Sequence, residues 1–123
     1  MLERTRNVRP KTVRSQNALI DAMEQKETII YITGQYADEV KANILTKSKT
    51  AKGFSKAYKV LGVISVLLNP ALALACFGIS GFVSLGDDFK NYKIEIDENK
   101  NRIILTKTKG KNAYRPKLDT IVE

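Results

Sequence analysis

Apolar and polar positions are unevenly spread along this chain, and their spacing predicts its elements in turn. Residues 1–14 are polar, basic and broken by Pro10, with no periodic apolar positions, and read as a flexible arm. Ser15 then offers a side-chain cap to a short helix over Gln16–Lys26, whose Ala18, Leu19, Ala22 and Met23 share one face. Thr28–Thr33 is β-branched and aromatic throughout and stops at Gly34, the pattern of a strand. From about Tyr36 apolar residues recur at helical spacing (Val40, Ile44, Ala51, Phe54, Tyr58, Leu61), while Lys49, Lys52, Lys56 and Lys59 line another stripe. Gly53 weakens the middle of that stretch, so one long helix or two joined near Lys47–Gly53 both fit. Tyr92–Asp97 and Arg102–Thr108 are strand-like runs around the polar loop Glu98–Asn101, which predicts a hairpin. Beyond Gly110 the chain contains Pro116 and stays polar until Ile121 and Val122, as a surface tail over 111–123 would.

Between these elements lies Val60–Gly86, 27 residues without a charge. About 20 apolar residues suffice for a helix to cross a bilayer core of roughly 30 Å, so length permits insertion. Asn69 and Pro70 interrupt the run; proline inside a helix costs about 3 kcal/mol, whereas Asn as cap and Pro at the first position suit a new helix. A helical hairpin follows, with Val60–Leu68 only about 14 Å long and too short to cross alone. Its apolar side chains, Val60, Leu61, Val63, Ile64, Leu67, Leu68, Pro70, Leu72, Leu74, Phe77, Ile79, Phe82 and Val83, either enter a membrane or form a core. A strand at 28–33 that joins the 92–108 hairpin requires the chain to return to the side it left, which disfavours a single span. The expected class is therefore α+β: an apolar helical hairpin, inserted or buried, with a small three-stranded, mainly antiparallel sheet, in one unit over 15–110.

Charge sharpens the alternatives. Twenty-one Lys and Arg against 13 Asp and Glu give +8, and the strongest block, net +6 over 41–59, touches the uncharged run. Lys47, Lys49, Lys52, Lys56 and Lys59 are thus the candidate contacts to an anionic lipid surface, at about 1 kcal/mol each. Arg4, Arg6, Arg9, Lys11 and Arg14, together with Lys107, Lys109 and Lys111 on one face of a strand, are candidate polyanion contacts, nucleic acid included. A solvated edge strand protected by lysines is the plainer reading of the last three. The Arg-rich opening has no apolar run behind it and does not read as a secretory signal. The single Cys76 permits no intrachain disulfide and gives no reason to expect an oxidising compartment.

Catalytic chemistry finds little footing. Histidine is absent, Cys76 has no charged neighbour in sequence, and no phosphate loop of the GxxxxGK[ST] form occurs. The adjacent acids Asp87-Asp88 and Asp97-Glu98 suit turns better than metal ligation. No cofactor, metal or enzymatic activity is expected. Cys76, Ser80 and Ser84, with Gly78 and Gly81, make a ladder of small residues that lets hairpin arms pack, or copies of the chain associate. The expectation is a small non-enzymatic protein on the cytoplasmic face of a membrane, with an inserted hairpin and a β module for interactions. Its alternative is a soluble basic α+β module for a protein or nucleic-acid partner, with 60–86 as its core.

Overall fold

Residues 92–107 form the hairpin that the alternation of apolar and polar positions predicts. In the computed structural model, which describes residues 5–50, 58–60, 62–66, 70–79 and 88–122, the eight strands in chain order are β1 (Arg6–Val8), β2 (Lys11–Val13), β3 (Ile29–Ile32), β4 (Tyr58–Val60), β5 (Val63–Val66), β6 (Tyr92–Asp97), β7 (Arg102–Lys107) and β8 (Asp119–Ile121). Helices among the described residues include α1 (Gln16–Glu24), α2 (Gly34–Thr50) and α3 (Pro70–Cys76). β6 turns into β7 through an Asp97 side chain whose Oδ1 accepts the N–H groups of Asn99 and Lys100, with Asn101 in the left-handed region. β3 pairs antiparallel with β7, so the expected three strands lie side by side as β3, β7 and β6.

The sheet is larger than the three strands expected. Its order is β2-β3-β7-β6-β5-β4, antiparallel except for the parallel β2–β3 pair. One of the added strands, β5, comes from the uncharged run and another, β4, ends at its first residue, Val60, so the run is not a helical hairpin in its described part: Val63–Val66 pairs with β6 and with β4. Val63-Ile64-Ser65-Val66 is β-branched at three of four positions, and a short apolar run cannot be told from a buried helix by periodicity alone. Gly62 is the turn hidden inside that run. Its φ of +83° suits glycine, and a Cβ there would stand 2.5 Å from the Asn99 side chain. α3 does begin at Pro70 as expected, but it has only seven residues, and no helix among the described residues is long and apolar enough to cross a membrane.

The arm and the tail are corrected as well. Arg6–Val8 and Asp119–Ile121 form a separate parallel two-stranded sheet, and Lys11–Val13 extends the main one. Arg6 holds β8 by a fork: its Nε and Nη2 donate to the two carboxylate oxygens of Asp119 at 2.9 and 2.7 Å, and the Arg115 N–H also donates to that group. The arginine fork keeps the buried Asp119 carboxyl below the ordinary carboxylate range. A carboxyl with a depressed folded-state pKa adds stability that is present above its unfolded value of roughly 3.9 and is lost as pH falls through the lower folded value. The β1–β8 pair is therefore expected to survive acidification to about pH 4. An NMR titration in which Asp119 protonates at or above the ordinary value would refute this.

α1, α2 and α3 cover one face of the main sheet. That face carries two cross-strand rows in register, Val13–Ile32–Ile103–Ile96–Ile64 and Ile30–Leu105–Ile94–Val66. Against them pack Leu19 and Met23 of α1, Val40 and Ile44 of α2, and Ala73, Cys76 and Phe77 at α3. Each of the larger of these side chains, from valine upward, contributes about 1.5–3 kcal/mol when removed from water. Ser15 caps α1 through its hydroxyl, which accepts the Ala18 N–H at 3.2 Å, as expected. α1 ends earlier than Lys26: Lys26 takes φ +56°, and the N–H groups of Lys26 and Glu27 reach back to the carbonyls of Met23 and Ala22. This C-terminal motif usually places glycine where Lys26 stands, because an L-residue in the left-handed region costs roughly 1–2 kcal/mol. Lys26→Gly is expected to raise stability by up to about 1 kcal/mol in urea unfolding. A loss of stability would contradict the left-handed backbone at this position. Tyr58 belongs to β4 rather than to a continuing helix; Ala51, Phe54 and Leu61 lie outside the described residues.

Candidate functional site

Strand alternation gives the sheet a second face, turned away from the helices. Thr12, Tyr31, Ile104, Glu95 and Ser65 align across it in one row, and Ile29, Thr106 and Lys93 in the next. Tyr31, Ile29 and Val8 form a small buried cluster here, with Ile104 and Tyr114 packed against it. The Arg102 guanidinium lies 3.9 Å from the Tyr31 ring centroid and donates from Nε to Asp97 at 3.2 Å, so the ring is held between strand neighbours and a fixed cation.

The C-terminal segment crosses this face and turns it into a groove. Tyr114 is pinned by its N–H to the Lys107 carbonyl at 2.8 Å, and β8 is pinned to β1. Between that segment and the sheet lies a cavity of about 480 Å³, with Ile29, Tyr31 and Ile104 on the sheet side and Tyr114, Pro116 and Ile121 on the other. Ile121 is 42% exposed. Lys93 and Glu95 line the groove and pair loosely at 3.7 Å. Arg115 and Lys117 are exposed on either side of Pro116. The arrangement can hold an apolar group and meet a charge near its mouth.

Comparison with protein-family models, curated proteins and solved structures yields no match. The site therefore rests on its own geometry.

The candidate residues fall into separate places. Of the lysines proposed for lipid contact, Lys47 and Lys49 lie in the last turns of α2 and Lys59 in β4, whereas Lys52 and Lys56 are outside the described residues. Of the insertion or core set, Phe77 and Ile79 are buried, and Leu72, Leu74 and Ile64 pack partly buried against the core. Val63 is half-buried in β5, Val60 and Pro70 begin or end elements, and Leu61, Leu67, Leu68, Phe82 and Val83 lie outside the described residues. Cys76 is buried against α2, whose Asn43 amide donates to the Cys76 carbonyl at 3.0 Å; Ser80, Gly81 and Ser84 are outside the described residues.

The polyanion set divides too. Arg9, Lys11 and Arg14 are exposed, Arg6 is engaged with Asp119, and Arg4 is outside the described residues. Lys107, Lys109 and Lys111 do not share a strand face, because β7 ends at Lys107. Lys107 is buried, its ammonium donates to the Lys109 carbonyl at 2.7 Å, and Lys109 and Lys111 are exposed in the loop beyond. Burial, and then the positive charge of Lys26, lowers the Lys107 pKa below the ordinary lysine value, against an opposing pull from Asp88. Two phenols serve as structural donors, Tyr92 to the Glu27 carbonyl and Tyr36 to the Phe77 carbonyl, both at 2.6 Å, and burial raises both pKa values. Among the described residues no three His, Cys, Asp or Glu side chains gather as metal ligation would need.

The groove residues were missed by spacing arguments, yet a signal existed. Ile29-Ile30-Tyr31-Ile32 is apolar on both parities, which means that both faces of β3 must be covered. The cover comes from Val8 of β1 and from Tyr114 in the tail.

Proposed function

We propose that the chain is a non-enzymatic binding module that takes the apolar part of an amphipathic anion into the groove on the second face of its sheet. The observation that carries this reading is a half-enclosed cavity of about 480 Å³ with an apolar floor. Pockets that hold small ligands are mostly apolar with a few placed polar groups, at roughly 300–1,000 Å³. Lys93 and Glu95 line the groove, and Arg115 and Lys117 line an adjoining hollow that shares Tyr114 and Pro116 with it, so in a chain of net charge +8 a negative head group is the complementary one. The test uses decanoate and decyltrimethylammonium, which share an alkyl chain and carry opposite charges. Decanoate is expected to shift the methyl signals of Ile29 and Ile104 saturably, the cation to do so more weakly, and Ile104→Trp, which fills the groove, to abolish the effect. Methyl signals that respond to neither compound would end this reading.

Membrane association is the second reading, supported by Leu45, which is 43% exposed on α2 one turn before Lys49. An exposed leucine beside lysines suits the surface of an anionic bilayer on the cytoplasmic side. Replacing Lys49, Lys52, Lys56 and Lys59 by Gln is expected to weaken binding to phosphatidylglycerol vesicles. Undiminished binding would remove the electrostatic part of this reading.

A further inference from the structure

Three stretches far apart in sequence meet beside β1 and line a shallow polar pocket of about 240 Å³. They are β1 with the residues after it, the turn that ends α1, and the loop around Asn112. Arg6, Arg9, Lys26, Asn112 and Thr28 bring hydrogen-bond donors to this pocket, and Glu27 brings the one carboxyl side chain. Arg6 is neutralised by Asp119, but Arg9 and Lys26 are exposed and form no ion pair among the described residues. The pocket is also preorganised. Lys26 and Asn112 both hold left-handed backbones, at φ 56° and 65°, and the Asn112 side-chain amide donates to the Lys26 carbonyl at 3.0 Å, joining positions 86 apart.

The conformation of Lys26 is the informative feature. Glycine would end α1 without the steric cost that lysine bears there, so the backbone gives no reason for an ammonium at this point. Strain retained at one residue points to a use for its side chain. Lys26 also lies close enough to the buried Lys107 to oppose its charge.

We propose that this pocket binds a phosphate-type oxyanion, with the Lys26 ammonium and the Arg9 guanidinium as its charged donors. An oxyanion there would accept charge-assisted hydrogen bonds from both, and Asn7 and Thr28 line the same pocket with further polar groups. The site is independent of the apolar groove and stands or falls without it.

The test follows backbone amides of Arg9, Lys26, Thr28 and Asn112 in the full chain during titration with inorganic phosphate and with glycerol 3-phosphate, chloride replacing them at equal ionic strength. Vesicles containing phosphatidic acid form a third arm. Saturable shifts confined to these amides are expected, with affinity lowered about tenfold in Arg9→Gln and in Lys26→Gly. Lys26→Gly is the decisive variant, because it removes the ammonium while easing the backbone, so lost binding cannot come from lost folding. A response to both soluble phosphates assigns the site to a free ion or ester. A response to vesicles alone, abolished in Lys26→Gly, assigns it to a lipid head group. Shifts no different from those in chloride, or binding unchanged in Lys26→Gly, would overturn the proposal.

Discussion

Phe77→Ala is expected to lower stability by about 3–5 kcal/mol in urea unfolding, the range for truncating a buried aromatic ring. Phe77 has no exposed surface and stacks on Phe89, with centroids 5.0 Å apart and planes at 29°. Its loss opens a cavity at the junction of α3 with the sheet, and it also loosens the point where the Tyr36 hydroxyl grips the Phe77 carbonyl. The result bears on the uncharged run as a whole. A side chain that serves only to enter a bilayer would leave the water-soluble fold unchanged when truncated, so a cost below about 1 kcal/mol would remove Phe77 from the core.

Asp97→Ala is expected to cost about 3 kcal/mol, as for removing one partner of a buried ion pair. One Asp97 oxygen accepts two backbone N–H groups of the β6–β7 turn, and the other accepts Arg102, whose side chain is 15% exposed. Stacking of Arg102 on Tyr31 offsets part of the loss, since the cation keeps its ring when it loses its carboxylate. Asp97→Asn retains an acceptor for the turn and is expected to cost about 1 kcal/mol. The informative comparison is between the two variants. Equal losses would mean that the ion pair, not the turn hydrogen bonds, carries the energy.

Much of the helix-covered face was legible from spacing. Leu19, Ala22 and Met23 on α1, Val40 and Ile44 on α2, and the alternation of β6 and β7 each point inward as their periods require. The uncharged run was not legible, because its length concealed a change of structure. Gly62 lies within a continuous apolar stretch and gives no polar signal of a turn, and Val63-Ile64-Ser65-Val66 is too short and too evenly apolar to show the alternation that identifies a strand. The groove was hidden for a different reason. Its outer wall depends on β1 meeting β8, a pairing of three-residue strands that no local pattern announces.

That pairing also sets the order in which the molecule can complete itself. Arg6 and Asp119 are 113 residues apart, so their fork closes one of the longest loops the chain can make, and it does so with two very short strands. Entropy opposes such a closure until the main sheet has already brought the two ends near each other, so the clasp forms last on folding and opens first when the molecule breathes. The floor of the groove is thus established with the sheet, whereas its outer wall is the part most readily drawn aside, and a guest can enter by a partial opening that leaves the core intact.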